Sequence, residues 1–318
     1  MDSVAADKRI RPYVHETPLQ LARQLSESTG AKVYLKLENL QETGAFKLRG
    51  AANKLLSLPR EEAARGIVTA STGNHALAVA TMAGKLGIPV EIFVSEHIHP
   101  RKRARIDALQ PRVRTVEGDA LAAELAARQE SERSGRPYVS PYNDATVIEG
   151  QGTLAVEILL QLGRAGAGAL DAVFVAVGGG GLIGGIGLHL KSASPGTEVV
   201  GCWPENSPAM HECLKAGAIV EVAEKPTWST STAGGVEPGA ITLAICRQVV
   251  DRNVLVTEDE IVAAARRVHR EDGQLIEGAA GVAVAGFLKD AARYAGGTVV
   301  LLICGANAEP EFESLVTA

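Results

Sequence analysis

Short runs of apolar, β-rich residues alternate along the chain with longer stretches whose apolar positions recur every three to four residues. The runs Lys32–Leu37, Gly66–Ala70, Val90–Val94, Val113–Val116, Ala172–Val177, Glu198–Trp203 and Val299–Cys304 read as strands. Several are continuously apolar, the pattern of strands covered on both faces. Helices are expected over His75–Leu86, which stops at Gly87, and over Ala120–Glu132, Gln151–Leu162, Glu258–Arg270 and Gly281–Tyr294. Thr257-Glu-Asp-Glu260 has the spacing of a capping box and opens one of these helices. Gly163–Gly168 reads as a surface loop, and no internal repeat or low-complexity tract interrupts the alternation. Strand following helix following strand predicts an α/β fold with parallel-rich sheets.

Composition narrows the classes of function. A chain of 318 residues, 46% hydrophobic and 22% charged, is long enough for a substantial core and argues against extended disorder. The net charge of -5 leaves no basic footprint for nucleic acid. Arg101-Lys-Arg-Ala-Arg105 reads as the solvated face of a helix. No apolar stretch approaches the ~20 residues that cross a bilayer. Met1–Arg9 is charged and lacks the apolar segment of a secretory signal, and the few residues after Asn307 predict no appended regulatory domain. Cys202, Cys213, Cys246 and Cys304 show neither a Cys-x-x-Cys spacing nor clustering with histidine. Neither zinc nor a disulfide framework is expected, and a reducing cytoplasm fits best.

Three segments carry candidate chemistry, each at a strand-to-helix turn. In Thr43-Gly-Ala-Phe-Lys47, a lysine sits in a small apolar neighbourhood that would depress its pKa and free it as a nucleophile or base. Read alone, such a lysine is as compatible with simple solvation. In Ala70-Ser-Thr-Gly-Asn-His-Ala76, the polar residues cap a helix or expose its N-terminus to a carboxylate. In Ala176-Val-Gly-Gly-Gly-Gly-Leu182, four consecutive glycines cost backbone entropy and imply close approach of a guest, of which phosphate is the usual one. No Gly-Lys-Ser/Thr follows, and no βαβ start with a ribose-binding acid is present, so a nucleotide is not indicated.

In this order the three segments resemble those of the fold type II, tryptophan-synthase-type pyridoxal-phosphate enzymes, and among them the threonine/serine dehydratase and serine racemase group. The likeness runs from about Thr17 to Asn307 and includes Glu149-Gly-Gln-Gly-Thr153 and Cys304-Gly-Ala-Asn307. It implies a two-domain α/β enzyme: a large cofactor-binding domain of residues 1–55 plus 146–318, and a small domain of residues 56–145. It further implies Lys47 as the Schiff-base lysine and catalytic base, and Phe46 beside the cofactor ring. Asn74 would meet the ring's 3-hydroxyl, Gly178, Gly179, Gly180, Gly181 and Leu182 the phosphate, and Cys304 the pyridine nitrogen. Ser71, Thr72, Gly73 and His75 would form the substrate-carboxylate segment. A thiol is too weak an acid, at a pKa of about 8.5, to keep the pyridine protonated as a carboxylate would. Prompt loss of a β-substituent is then favoured over transamination. The implied activity is dehydration of a β-hydroxy amino acid such as L-threonine or L-serine to a 2-oxo acid and ammonia. A homodimer is the implied assembly, and a small-molecule amino acid the implied partner.

Some positions depart from the family wording. Thr72 stands where racemases carry serine, which keeps racemisation open as an alternative. In Gly201-Cys-Trp-Pro-Glu-Asn206, Trp203 replaces the acidic residue of a cation site and Ala209 a second acid, so no metal is expected and Trp203 reads as packing. Ser231-Thr-Ala-Gly-Gly-Val-Glu-Pro-Gly239 and Glu277-Gly-Ala-Ala280 also differ; Gly234 and Gly235 are expected near the ring, and Glu237 reads first as a surface acid, with selection of a substrate side chain as the alternative. The pattern is similar to dehydratases of hydroxyectoine breakdown, leaving a hydroxylated diamino acid or 3-hydroxyaspartate as alternative substrates.

Overall fold

The computed structural model describes residues 1–118 and 120–318. Among the described residues, ten strands form two sheets. In chain order they are β1 (Leu19–Leu21), β2 (Lys32–Leu37), β3 (Ile67–Ala70), β4 (Val90–Ser95), β5 (Arg112–Val116), β6 (Tyr138–Val139), β7 (Ala172–Ala176), β8 (Glu198–Pro204), β9 (Arg252–Val256) and β10 (Thr298–Ile303). The first sheet has the order β1-β2-β10-β7-β8-β9 and the second the order β5-β4-β3-β6. Every pairing is parallel except β1 with β2. The continuous apolar runs become the central strands: β10 is buried at every position, and β7 likewise, because helices cover both faces.

The strand expected over Lys32–Leu37 matches residue for residue. The capping box at Thr257 is present with both of its bonds. Three strands carry no strong apolar run and were not expected. β9 is an edge strand opening on Arg252 and Asn253, while β1 and β6 are only three and two residues long. The helix expected over Gln151–Leu162 extends over Ala145–Ala165, with the Asp144 carboxylate capping its start. Its internal glycines, which weaken a helix signal, serve a crossing instead. A Cβ on Gly150 would stand 2.7 Å from the carbonyl oxygen of Arg49 and 2.8 Å from the Cα of Gly50. The same helix overruns the start of the expected Gly163–Gly168 loop and ends at a left-handed Gly166.

That crossing brings the Lys47–Leu56 helix against the Ala145–Ala165 helix, and a buried ionic cluster fixes it. The Arg49 guanidinium is fully buried and donates to Glu38 at 2.8 and 2.8 Å and to Glu157 at 2.7 and 2.9 Å. Lys36 adds a 2.6 Å bond to Glu157 and a 2.7 Å bond to the Thr17 carbonyl. Burial alone would raise the Glu157 pKa, but Arg49 and then Lys36 outweigh it and hold the carboxyl at about 2. A depressed carboxyl stabilises the fold above its unfolded value of 4.5, and the contribution is lost as pH falls toward 2. Arg49→Met would leave the buried Glu38 carboxylate without a cation and take one from Glu157, which keeps Lys36 and Arg11. Its expected effect in a denaturant titration at pH 7 is a loss of about 3–5 kcal/mol, shrinking as the pH is lowered below the carboxyl range. An unchanged midpoint at pH 7 would show that the cluster is not holding the crossing.

Candidate active site

Lys47 is delivered by the loop after β2 and the short 3-10 turn Glu38–Leu40. The loop is stitched to the end of β10: Phe46 N–H donates to the Cys304 carbonyl at 3.0 Å, Ala306 N–H to the Gly44 carbonyl at 2.9 Å, and Ala45 bridges Gly305. Lys47 then opens its helix, with its amine donating to the Pro141 carbonyl at 2.7 Å and standing 5.2 Å from the centre of the Phe46 ring. Burial is the largest influence on this amine and lowers its pKa to about 8, with Glu124, Cys304 and Glu277 opposing.

The segment after β3 gives the second wall. Gly73 precedes the Asn74–Leu86 helix, and no side chain caps that helix's N-terminus. Ser71 Oγ accepts from the Gly73 N–H at 3.1 Å. The Asn74 amide nitrogen donates to both oxygens of Glu277, at 3.1 and 3.0 Å, and its oxygen accepts from Asn307 at 2.6 Å. The His75 ring turns inward, with Nε2 at 3.0 Å from Thr69 Oγ1 and 3.1 Å from the Val139 carbonyl. Burial, and then Lys47, depress its pKa to about 3. The ring is therefore neutral at working pH, and only this residue's main chain belongs to the open helix end.

The third wall follows β7. Gly180, at φ +86, precedes the Gly181–Ala193 helix, again with no side-chain cap. A Cβ on Gly179 would lie 2.4 Å from the Tyr142 ring, and one on Gly178 3.0 Å from the main chain of Thr232. The turn is bare because neighbours occupy the space that side chains would need, and a helix N-terminus with no side-chain cap is suited to an anion.

Cys304 closes β10 with its thiol buried, 3.9 Å from a Glu277 oxygen. Burial first, and then Glu277, raise the thiol's pKa well above its ordinary value. Burial likewise raises that of Glu277. In the sequence Glu277 stands out only as the start of a segment that departs from the family wording, and its contact with Asn74 leaves no local signal beyond an acid before a glycine-alanine helix start.

One cavity of about 970 Å3 joins these walls. Phe46, Lys47, Ser71, Thr72, Gly73, Asn74, His75, Gly178, Gly179, Gly180, Gly181, Leu182 and Cys304 all line it, so every expected site residue reaches the same space. Gly234 and Gly235 line it too. Glu237 corrects the reading as a surface acid: it is 6% exposed and pairs with Arg128 at 2.5 Å, while its N–H donates to the Tyr142 hydroxyl. Trp203 is fully buried, packed beneath Gly201 with its ring 5.5 Å from that of His211. Among the described residues no group of three His, Cys, Asp or Glu side chains could hold a metal ion, and the four cysteines are free and buried.

A buried amine facing an uncapped, side-chain-free helix turn defines a site for a phosphorylated carbonyl cofactor. Comparison with known proteins agrees, and the chain belongs to the pyridoxal-phosphate dependent enzymes, whose family model matches residues 10–305. It is 38% identical over 307 residues to the L-threonine ammonia-lyase of Thermotoga maritima, covering 96% of this chain and 75% of that protein. The solved structure of the processed form of threonine deaminase isoform 2 from Solanum lycopersicum superposes with a TM-score of 0.91 at 33% identity, covering 99% of this chain and 91% of that one. Maize serine racemase gives 0.90 at 27% identity, covering 97% and 93%. The residues present fit the cofactor: the bare turn suits its phosphate and the pKa of Lys47 suits its aldehyde. Gly179→Ala would drive a methyl group into the Tyr142 ring, and the expected result is protein that folds but emerges without cofactor absorbance. Full cofactor retention in that variant would remove the turn from the site.

Proposed function

We propose that this chain is a dehydratase (ammonia-lyase) for a β-hydroxy amino acid such as L-threonine or L-serine, giving a 2-oxo acid and ammonia. The observation that carries the reading is the convergence of the Lys47 amine, the Gly178–Leu182 turn and the Cys304 thiol on one cavity. Lys47 would hold the cofactor covalently, the Gly178–Leu182 main chain its phosphate, Asn74 its ring hydroxyl, with Phe46 beside the ring. When bound, the cofactor supplies an electron sink that acidifies the substrate's Cα–H bond.

The protein's own groups do the rest. The Lys47 amine takes the Cα proton, and its pKa near 8 suits it to receive a proton and pass it on near neutral pH. The uncapped N-terminus at Gly73, with Ser71 and Thr72 beside it, fixes the substrate carboxylate and so the direction of the Cα–H bond. Cys304 keeps its proton, since burial and the nearby Glu277 oppose a thiolate. It is therefore at most a weak donor toward a ring nitrogen, which suits departure of the β-hydroxyl over deeper delocalisation of charge. Residues of the Ser231–Pro238 loop and the start of the Ala120–Ser134 helix form further parts of the cavity wall.

Thr72 on the cavity wall, together with the likeness to maize serine racemase, favours amino-acid racemisation as the second reading. The division into residues 1–55 plus 146–318 and residues 56–145, the homodimer and the cytoplasmic location belong to this proposal too. They rest on the family likeness, on the separate second sheet built between residues 67 and 139, and on the four free cysteines. No described helix is long and apolar enough to cross a membrane.

Ammonia release should be followed over L-threonine, L-serine, 3-hydroxyaspartate and a hydroxylated diamino acid, with chiral analysis of residual substrate. The expected outcome is ammonia from threonine or serine without inversion of the remainder. Lys47→Ala should lose turnover together with the absorbance of the protein-bound cofactor. Turnover surviving in Lys47→Ala would refute the assignment, and inversion without ammonia would establish the racemase reading in its place.

A further inference from the structure

The Asn74 amide is the point where the two sheets' elements interlock. It starts the helix that follows β3, yet its side-chain partners all come from elsewhere. Its nitrogen donates to the Glu277 carboxyl, with Ser231 Oγ a longer 3.4 Å away, and its oxygen accepts from Asn307 Nδ2 at 2.6 Å. Only one orientation satisfies both ends. Turned over, the amide oxygen would face a carboxyl and its nitrogen would face another nitrogen that has only hydrogens to offer.

Asn307 is held in the same way. Its nitrogen donates to the Thr43 carbonyl at 2.9 Å as well as to Asn74, and its oxygen accepts from Arg105 Nη1 at 2.7 Å. Gly44 makes room for it: at φ +73, a Cβ there would lie 2.8 Å from Asn307 Oδ1. Arg105 belongs to the Pro100–Asp107 helix, so the chain of bonds passes from that helix to the turn after β10, back to Asn74 and on to Glu277. The basic run that reads in sequence as a solvated face thus has two ties to the site: Lys102 lines the cavity, and Arg105, itself exposed, bonds Asn307. Its neighbours Arg101 and Lys102 pair with Glu313 and Glu309 near the C-terminus.

We propose that Asn307 and Arg105 are positioning residues, which together fix the orientation in which Asn74 presents its amide to the cofactor site. The guanidinium, which offers only donors, and the Thr43 carbonyl, which only accepts, together turn the Asn307 oxygen outward; Asn307 then offers only its nitrogen inward, and Asn74 must turn its own oxygen to meet it. Neither residue touches the reacting atoms. The inference rests on membership of the pyridoxal-phosphate family and not on which substrate is dehydrated.

The test reads bound cofactor without substrate, so it is independent of the substrate assignment. Variants of the full chain are titrated with pyridoxal phosphate, following absorbance and fluorescence, with circular dichroism to confirm folding. Asn307→Asp keeps the shape but loses the donor, and it should weaken cofactor binding roughly tenfold and shift the bound spectrum. Arg105→Gln should shift the spectrum the same way with about threefold weaker binding, and Arg105→Lys should restore binding to within about twofold of wild type. Arg103→Gln, on the same helix but bonded to Asp107 and Thr115, serves as the control and should match wild type. Wild-type affinity and spectrum in a folded Asn307→Asp would overturn the proposal. So would an Arg105→Gln indistinguishable from Arg103→Gln, and that pair of surface variants decides the matter alone if Asn307→Asp does not fold.

Discussion

Three neighbouring parallel strands end on the same side of one sheet, and the chemistry of this protein depends on that alignment. β2, β10 and β7 lie side by side, paired Val33 to Val299 and Val300 to Val173. The loop leaving β2 carries Lys47, Cys304 follows the last residue of β10, and the turn after β7 carries the glycines. Parallel pairing forces the carboxyl ends together, which is why open α/β sheets bind ligands at that edge. The second sheet's elements add the Ser71–Asn74 turn after β3, Pro141 and Tyr142 after β6, and the start of the Ala120–Ser134 helix.

Burial then sets the charge states. The Lys47 amine comes out of water far enough for its pKa to fall to about 8, while Arg49, two residues on and also buried, stays charged because Glu38 and Glu157 surround it. One helical turn thus holds a cation kept permanently for structure and an amine made ready to lose its proton. The difference is one of partners, since both are buried. His75 lies in the same region without a charged partner and is held neutral.

Much of this was legible in the sequence, because long apolar strands and side-chain-free turns leave strong local signals. β2 matches its expected limits, and the tetraglycine, Lys47 and Asn74 segments all reach the cavity. What was illegible depends on contacts between distant residues. Gly150 lies outside the expected Gln151–Leu162 helix because nothing local announces its close approach to Arg49 and Gly50. Glu237 looked like a surface acid because nothing local predicts Arg128 more than a hundred residues away. Glu277, Asn307 and Arg105 acquire their roles only when three separate segments meet around Asn74.

The account stands or falls on where the cofactor is joined to the chain. The most direct measurement is to saturate the full-length protein with pyridoxal phosphate, fix the lysine-bound cofactor irreversibly with borohydride, digest, and locate the label by mass spectrometry. The label is predicted on the peptide carrying Lys47 and on no other lysine at stoichiometric level. A label on another lysine, or none at all, would contradict the placement of the reactive amine opposite the glycine turn.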